Sequence, residues 1–288
     1  MKNTQIVKIA SPMQSVINTL NKAKELFKKD NIDLQVFKVD YQTHEGIEML
    51  LTKKIDGLLY TNIHVLNAFN DFLKVNNQEI LEFVQPFYHS KYGLYINTKR
   101  NPILKNLAEV KKHTNLKILL ATAFSYIGPC DVPRSLILLN KIGLITIKKA
   151  MLQTKKFNLS FNDIQNPYQL EFTKSSQIPE KFLNNPQKYD LMANWPAFMN
   201  PYPDFLKIAS NIEGTEEPTD DFIASYAIGL ACQQSHKNSI EIAILTKILN
   251  NPQVKKFHFQ EGGPQHDYIM IKNPQKVTQK IKKLWLKK

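Results

Sequence analysis

Short apolar runs alternate along the chain with longer segments whose apolar positions recur every three or four residues. Ile6-Val7-Lys8-Ile9-Ala10 predicts a strand, and after Ser11-Pro12 the positions Val16, Leu20, Ala23, Leu26 and Phe27 predict a helix. Residues 34–39 predict a second strand, 47–53 a second helix, and Asp56-Gly57-Leu58-Leu59-Tyr60 a short buried third strand. This β-α-β-α-β order predicts a mostly parallel sheet covered by helices, with ligands near the carboxyl ends of the strands. Residues 63–75 continue as a helix with Val65, Leu66, Phe69, Phe72 and Leu73 on its apolar face, and strands are expected at 80–84 and 92–96.

The polar break Asn97-Thr98-Lys99-Arg100-Asn101-Pro102 predicts a first crossing into another lobe. A helix at 103–113 and a strand at 116–121 follow, and the strand feeds a loop and a further helix at Arg134. The same rhythm returns as a strand at 169–173, a helix at 178–183 and a strand at 189–194. Residues 198–203, with two prolines, predict the return linker, and 222–231 a long apolar strand that rejoins the first sheet. Helices at 240–249 and 252–259 complete the compact part. The expected organisation is α/β with two lobes: 1–97 as the first part of lobe I, 98–202 as lobe II, and 203–288 as the rest of lobe I with a basic terminal helix. No short-period internal repeat suggests a solenoid.

Composition changes this picture little. A length of 288 residues, 43% hydrophobic content and 10% aromatic content fit a folded protein of one large or two smaller lobes. The net charge of +13 suits an anionic neighbour, but the lysines are scattered over every predicted helix rather than gathered in one nucleic-acid footprint. Residues 271–288 hold seven lysines and no acid. There Val277, Ile281, Leu284 and Trp285 fall at helical spacing, the stripe of a terminal helix docked on the body with its lysines in water; a helix lying on a membrane surface is the other reading. Cys130 and Cys232 are far apart and provide neither metal spacing nor a disulfide framework. Neither end carries a long apolar run, so the given chain shows no signal peptide or membrane span: the protein is cytosolic, or a leader has been removed.

The candidate chemistry centres on Cys130-Asp131-Val132-Pro133-Arg134-Ser135 and the apolar run 136–139. Asp131 suits an N-cap, Pro133 the first helical turn, and Gly143 a left-handed residue past the helix end. The free N–H groups of that helix start and the planar fork of Arg134 favour an anion; the alternative is a buried helix whose Arg134 pairs with an acidic neighbour. Cys130 at a helix start also permits a low-pKa thiol with His64 or His89 as base, although nothing in the sequence ties a histidine to it. Glu261-Gly262-Gly263-Pro264 reads as a turn, and no phosphate loop, nucleophile elbow, kinase or zinc-protease motif occurs. Tyr60, Tyr88, Tyr92 and Asn194-Trp195 lie near predicted strand ends, where with Arg134 they form a pocket for a small molecule with a carboxylate and an apolar body.

The segment Arg134-Ser135-Leu136-Ile137-Leu138-Leu139-Asn140-Lys141-Ile142-Gly143-Leu144-Ile145 resembles the Arg-Ala-Leu-x-Leu-Leu-x-x-Ala-Gly-Leu-Ile segment of the NlpA family, the methionine-binding lipoproteins that serve ABC importers. In the same order, Asp56 to Asn62 stands where the family has Asp-Ala-Asn-Ala-Phe-Gln-His, and Tyr92-Gly93-Leu94-Tyr95 resembles Pro-Ile-Gly-Leu-Tyr. Tyr189-Asp190-Leu191 precedes an asparagine as it does in the family. The likeness runs over 6–257. It implies the type II periplasmic-binding architecture, two α/β lobes joined by two crossings, each lobe a mostly parallel sheet flanked by helices. It also implies that Arg134 clamps the ligand carboxylate, that Tyr60 lines the side-chain pocket and that Asn194 orients the amino acid. The chain departs from the family at Asn62, where a histidine is expected, at Val65 in place of a tyrosine, in the loop 126–131 before Arg134, and in lacking the lipobox cysteine.

The expected function is therefore a solute-binding protein, not an enzyme, that closes two lobes over methionine or another amino-acid-like carboxylate and presents it to the membrane subunits of an ABC importer. Arg134, Tyr60, Asn62, Tyr92, Asn194 and Trp195 are the expected ligand-binding residues, with no metal, cofactor or nucleic acid and a monomeric state. The implied location is extracytoplasmic, in a periplasm or anchored at the cell surface, if a leader was removed. The alternative is an enzyme on the same fold acting through Cys130 and His64.

Overall fold

The computed structural model describes residues 4–40, 43–99, 104–122, 130–154, 156–166, 168–174, 177–184, 188–263 and 266–285. The chain divides into two compact units, Met1–Ser90 with Thr215–Lys288 and Lys91–Gly214. The first begins with β1 (Gln5–Ser11), α1 (Gln14–Phe27), β2 (Ile32–Lys38), α2 (Glu45–Leu51), β3 (Gly57–Thr61), α3 (Ile63–Val75) and β4 (Leu81–Ser90). The second contains β5 (Gly93–Asn97), α4 (Leu107–Val110), β6 (Lys117–Thr122), α5 (Val132–Lys141), β7 (Thr146–Ile147), α6 (Lys149–Thr154), β8 (Ile164–Gln165), β9 (Gln169–Lys174), α7 (Ile178–Asn184), β10 (Leu191–Asn194), α8 (Pro196–Met199) and β11 (Phe205–Ser210). The first is completed by α9 (Asp221–Ala224), β12 (Ile228–Gln233), α10 (Ile240–Asn250), α11 (Pro252–Glu261), β13 (Tyr268–Met270) and α12 (Pro274–Trp285).

Both units follow one plan. The first sheet has the order β13-β4-β12-β3-β1-β2, with β1 parallel to β2 and β3 and with β12 antiparallel between β3 and β4. The second has the order β11-β5-β10-β6-β9, with β6 parallel to β9 and β10 and with β5 antiparallel between β10 and β11. In each, the inserted antiparallel strand is the first one the chain makes after crossing from the other unit. Strands covered on both faces need continuous apolar runs: Ile118, Leu119, Leu120 and Ala121 of β6 are fully buried, as are Val7, Ile9 and Ala10 of β1. A Cβ on Gly229 of β12 would collide with the carbonyl of Gln85 and the ring of Phe83, so only glycine lets β12 and β4 approach there.

Several expectations shift. The strand at 92–96 was expected to close the first lobe, but β5 pairs with β10 and β11 and belongs to the second sheet. Residues 198–203 do not return the chain; they pass through α8 toward β11, and the second unit runs from Lys91 to Gly214 rather than over 98–202. A strand's apolar pattern reports that it is buried and not which sheet supplies its hydrogen-bond partners. Residues 222–231 are not one strand: Asp220 accepts a hydrogen bond from Ile223 N at 3.0 Å and starts the short helix α9, and the strand begins only at Ile228. The helix expected at 103–113 is the single turn α4, capped by Asn106, while Arg100–Ile103 lie outside the described residues.

The terminal helix α12 docks. Val277 and Ile281 are buried, while Lys280 pairs with Asp221 at 3.1 Å and Lys282 with Glu82 at 2.8 Å. Those exposed pairs add little stability, so the apolar stripe carries the docking. The side chain of Trp285 lies outside the described residues. Among them, no helix is long and apolar enough to cross a membrane.

One histidine of the first unit lies wholly inside an aromatic cluster. His258 of α11 stacks on Tyr268 with centroids 4.7 Å apart and an interplanar angle of 3°, touches Tyr88, and shares a hydrogen bond of 2.9 Å with Thr19 Oγ1. Burial pushes its pKa down from 6.5 to about 3. The unfolded chain takes up a proton below about pH 6.5 that the folded chain refuses, so stability is complete above that pH and falls as pH drops toward 3. The loss is up to about 1.4 kcal/mol per pH unit, or about 2 kcal/mol at pH 5. The denaturation midpoint of the wild-type chain should therefore drop more between pH 7 and pH 5 than that of His258→Gln; equal drops would refute this origin.

Candidate functional site

The site builds from the carboxyl ends of two parallel strands in the second unit. β6 ends at Thr122, and the chain re-enters as α5, whose first turn holds Arg134. Beside β6, β10 ends at Asn194, and Trp195 follows. Tyr92 stands immediately before β5, which pairs with β10 so that Gly93 lies opposite Asn194. Three segments distant in sequence thus converge at one edge of the sheet, the edge at which parallel α/β sheets bind ligands.

There the guanidinium of Arg134 occupies the corner of two perpendicular rings. Its Cζ lies 3.9 Å from the centroid of Trp195 and 4.7 Å from that of Tyr92, and the two rings meet edge to face at 5.8 Å and 88°. Arg134 is 1% exposed, so each cation–π contact acts with water excluded, where it is worth about 2 kcal/mol. The rings are themselves fixed. The Tyr92 hydroxyl donates to the carbonyl of Ala193 at 3.1 Å and lies 2.7 Å from Ser135 Oγ. Trp195 Nε1 donates to Asp131 Oδ2 at 2.8 Å. Burial holds the Tyr92 phenol far above its ordinary pKa, so it remains a neutral donor.

Asp131 corrects one expectation. It precedes α5, but its backbone is already close to helical, at φ −90° and ψ −7°, and its side chain caps no N–H group. The carboxylate turns to the indole of Trp195 instead. Burial raises its pKa, against which Arg134 and the Trp195 hydrogen bond pull it down. The other end of α5 is as expected: Gly143, at φ +75°, follows its last turn in the left-handed region where glycine is favoured. Residues Tyr126 to Pro129 of the preceding loop lie outside the described residues.

Of the six expected ligand-binding residues, the structure gathers Arg134, Tyr92 and Trp195 into contact, with Asn194 next in the chain. Asn194 is fully buried and donates from Nδ2 to Met199 Sδ at 3.5 Å. Tyr60 and Asn62 belong to the first unit, at the end of β3. Asn62 serves there as the N-cap of α3, its Oδ1 accepting from the backbone N–H groups of His64 and Val65 at 3.1 and 3.2 Å. Burial raises the pKa of Tyr60, which stays protonated. His64 is held within the first unit by Ser225 Oγ at 2.7 Å and by stacking on Tyr226 at 4.1 Å, a packing role for the base of the enzyme reading. Sequence reasoning missed the supporting parts, Ser135 under Tyr92 and Asp131 under Trp195. The only signal for them was their position on the same helical turn as Arg134. Among the described residues no group of three or more His, Cys, Asp or Glu side chains is placed to hold a metal ion.

No family model and no curated protein sequence matches the chain. Solved structures do. Protein PG110 from Staphylococcus aureus is similar with a TM-score of 0.74 at 16% identity, covering 96% of this chain and 99% of that one. The methionine-binding protein MetQ is similar with a TM-score of 0.69 at 15% identity, covering 92% of this chain and 98% of that one. An ABC transporter periplasmic substrate-binding protein from Coxiella burnetii also reaches 0.69, at 18% identity, with coverage of 92% and 100%. At these identities the likeness is one of fold, and it extends over nearly the whole chain: this protein shares their α/β fold, built as two units whose sheets have a common five-strand order, with β13 added to the first.

Proposed function

We propose that the protein is the solute-binding component of an ABC importer and that Arg134 holds the carboxylate of a small ligand, methionine or another amino-acid-like molecule. The observation that carries the reading is the setting of Arg134: a buried guanidinium on the first turn of α5, at the carboxyl edge of parallel strands, steadied by two aromatic faces. A guanidinium fork accepts a carboxylate through two parallel N–H···O bonds, and the N–H groups of the helix start add to the same field. The aromatic walls exclude water and suit an apolar side chain. The fold shared with a methionine-binding protein and with an ABC transporter substrate-binding protein supports the same assignment. The protein then acts as a monomer outside the cytoplasmic membrane, anchored there, and passes its ligand to the membrane subunits of the importer without breaking a bond.

Two measurements check this. Native mass spectrometry of the purified chain should reveal a co-purified molecule of amino-acid size that leaves on denaturation. Calorimetry with that molecule should show a loss of about 2–4 kcal/mol of binding free energy in Arg134→Ala, because one partner of a buried charge-assisted pair is removed. Arg134→Lys should recover only part of it, since an ammonium keeps the charge and loses the planar fork. Unchanged affinity in both variants would sink the assignment.

A further inference from the structure

Asp131 and Arg134 are a turn apart on one chain segment, and both are docked on the same indole. Trp195 receives the guanidinium over its ring face, with Cζ at 3.9 Å, and donates its edge N–H to Asp131 Oδ2 at 2.8 Å. Opposite charges are therefore placed on the face and the edge of one rigid ring. The carboxylate is 2% exposed, and its second oxygen, Oδ1, makes no hydrogen bond among the described residues. An ionised carboxyl has room for about four donors, and a buried one left with a single donor is unusual in a folded protein. The electrostatics agree: burial disfavours the carboxylate, and among the described residues Arg134 and the Trp195 N–H offset this.

A site built for a simple anion would present positive charge alone. A carboxylate set beside the guanidinium repels such an anion but complements a molecule whose own carboxylate and ammonium are separated by one carbon. Resting on the solute-binding reading, we infer that Asp131 is the specificity-determining residue of this site: its Oδ1 accepts the ammonium group of an α-amino acid whose carboxylate is held by Arg134. The site then selects zwitterionic α-amino acids over monocarboxylates of the same side chain. Asp131 is already oriented by the indole, so little ordering accompanies binding. The missing hydrogen bonds of Oδ1 are made when the ammonium arrives. A ligand lacking that ammonium leaves the buried carboxylate unpaired beside a second negative charge, which is the arrangement that yields strong discrimination.

The test uses the full chain, the common L-α-amino acids and the matching des-amino carboxylic acids, screened by thermal shift, with calorimetry on the best-binding matched pair. In the wild type the amino acid should bind at least 30-fold tighter than its des-amino partner. In Asp131→Asn, which keeps the shape and the Trp195 hydrogen bond, the gap should shrink to under about 5-fold, mostly through weaker binding of the amino acid. A des-amino acid that binds the wild type as tightly as the amino acid overturns the role of Asp131, and this needs no variant to fold. A gap unchanged in a folded Asp131→Asn does the same. In either case binding that still disappears in Arg134→Ala leaves the solute-binding reading standing. Absence of binding in both series overturns the inference, and unchanged affinities in Arg134→Ala overturn the solute-binding reading itself.

Discussion

A guanidinium buried to 1% exposure is the constraint on which the site depends. Removing that charge from water is expensive, and the helix start makes it harder, because the positive end of the α5 dipole disfavours a cation on its first turn. The local structure compensates with aromatic faces and a nearby carboxylate. Trp195 and Tyr92 meet at right angles around the guanidinium, and each is tied by a hydrogen bond to the segment that carries Arg134, through Asp131 and Ser135 respectively. The cluster supports itself: the residues flanking Arg134 in the chain orient the rings that stabilise it. The field that remains is biased toward a negative group, so the feature that holds the cluster together also suits the carboxylate recognition proposed for it.

The architecture that supplies this edge is made twice. The first sheet sets β2, β1 and β3 in parallel and continues through β12 and β4 to β13; the second sets β9, β6 and β10 in parallel and continues through β5 to β11. In both, an asparagine stands at the end of the third strand, before a helix: Asn62 after β3 and Asn194 as the last residue of β10. The first is absorbed into the fold, its carbonyl oxygen capping α3, whereas the second reaches the sulfur of Met199 and leaves the start of α8 to Trp195. Equivalent positions on one plan thus acquire different duties because their neighbours offer different partners. The fold provides a strand edge twice and does not by itself assign chemistry to either.

Much of this was legible before any coordinates. The apolar runs of β1, β3 and β6 and the helical periodicity of α1, α3 and α10 exposed the α/β rhythm, since burial on both faces of a parallel sheet calls for continuous apolar runs. The anchor helix and its glycine terminus could be read from Pro133, the apolar run after it and Gly143, and the family-like segment that begins at Arg134 pointed to the fold. Strand ownership was hidden. β5 and β11 are apolar strands next to polar breaks, and nothing local says that they pair with each other across more than a hundred residues. The duty of Asp131 was hidden for the same reason, because its acceptor role toward Trp195 spans 64 positions.

By itself, the sequence determined most of the strands and helices, though not those at 103–113 and 222–231, together with the faces they bury, where α5 starts and ends, and that a cation stands at its first turn. These follow from side-chain volume, periodicity and backbone preference, which act over a few residues. Only the tertiary structure decided which strands share a sheet, where one unit yields to the other, that Asn62 is a cap, and that Tyr92, Asp131 and Trp195 enclose Arg134. Those outcomes depend on hydrogen-bond partners and ring contacts brought together by strand pairing, and strand pairing is settled by the whole core rather than by any local pattern.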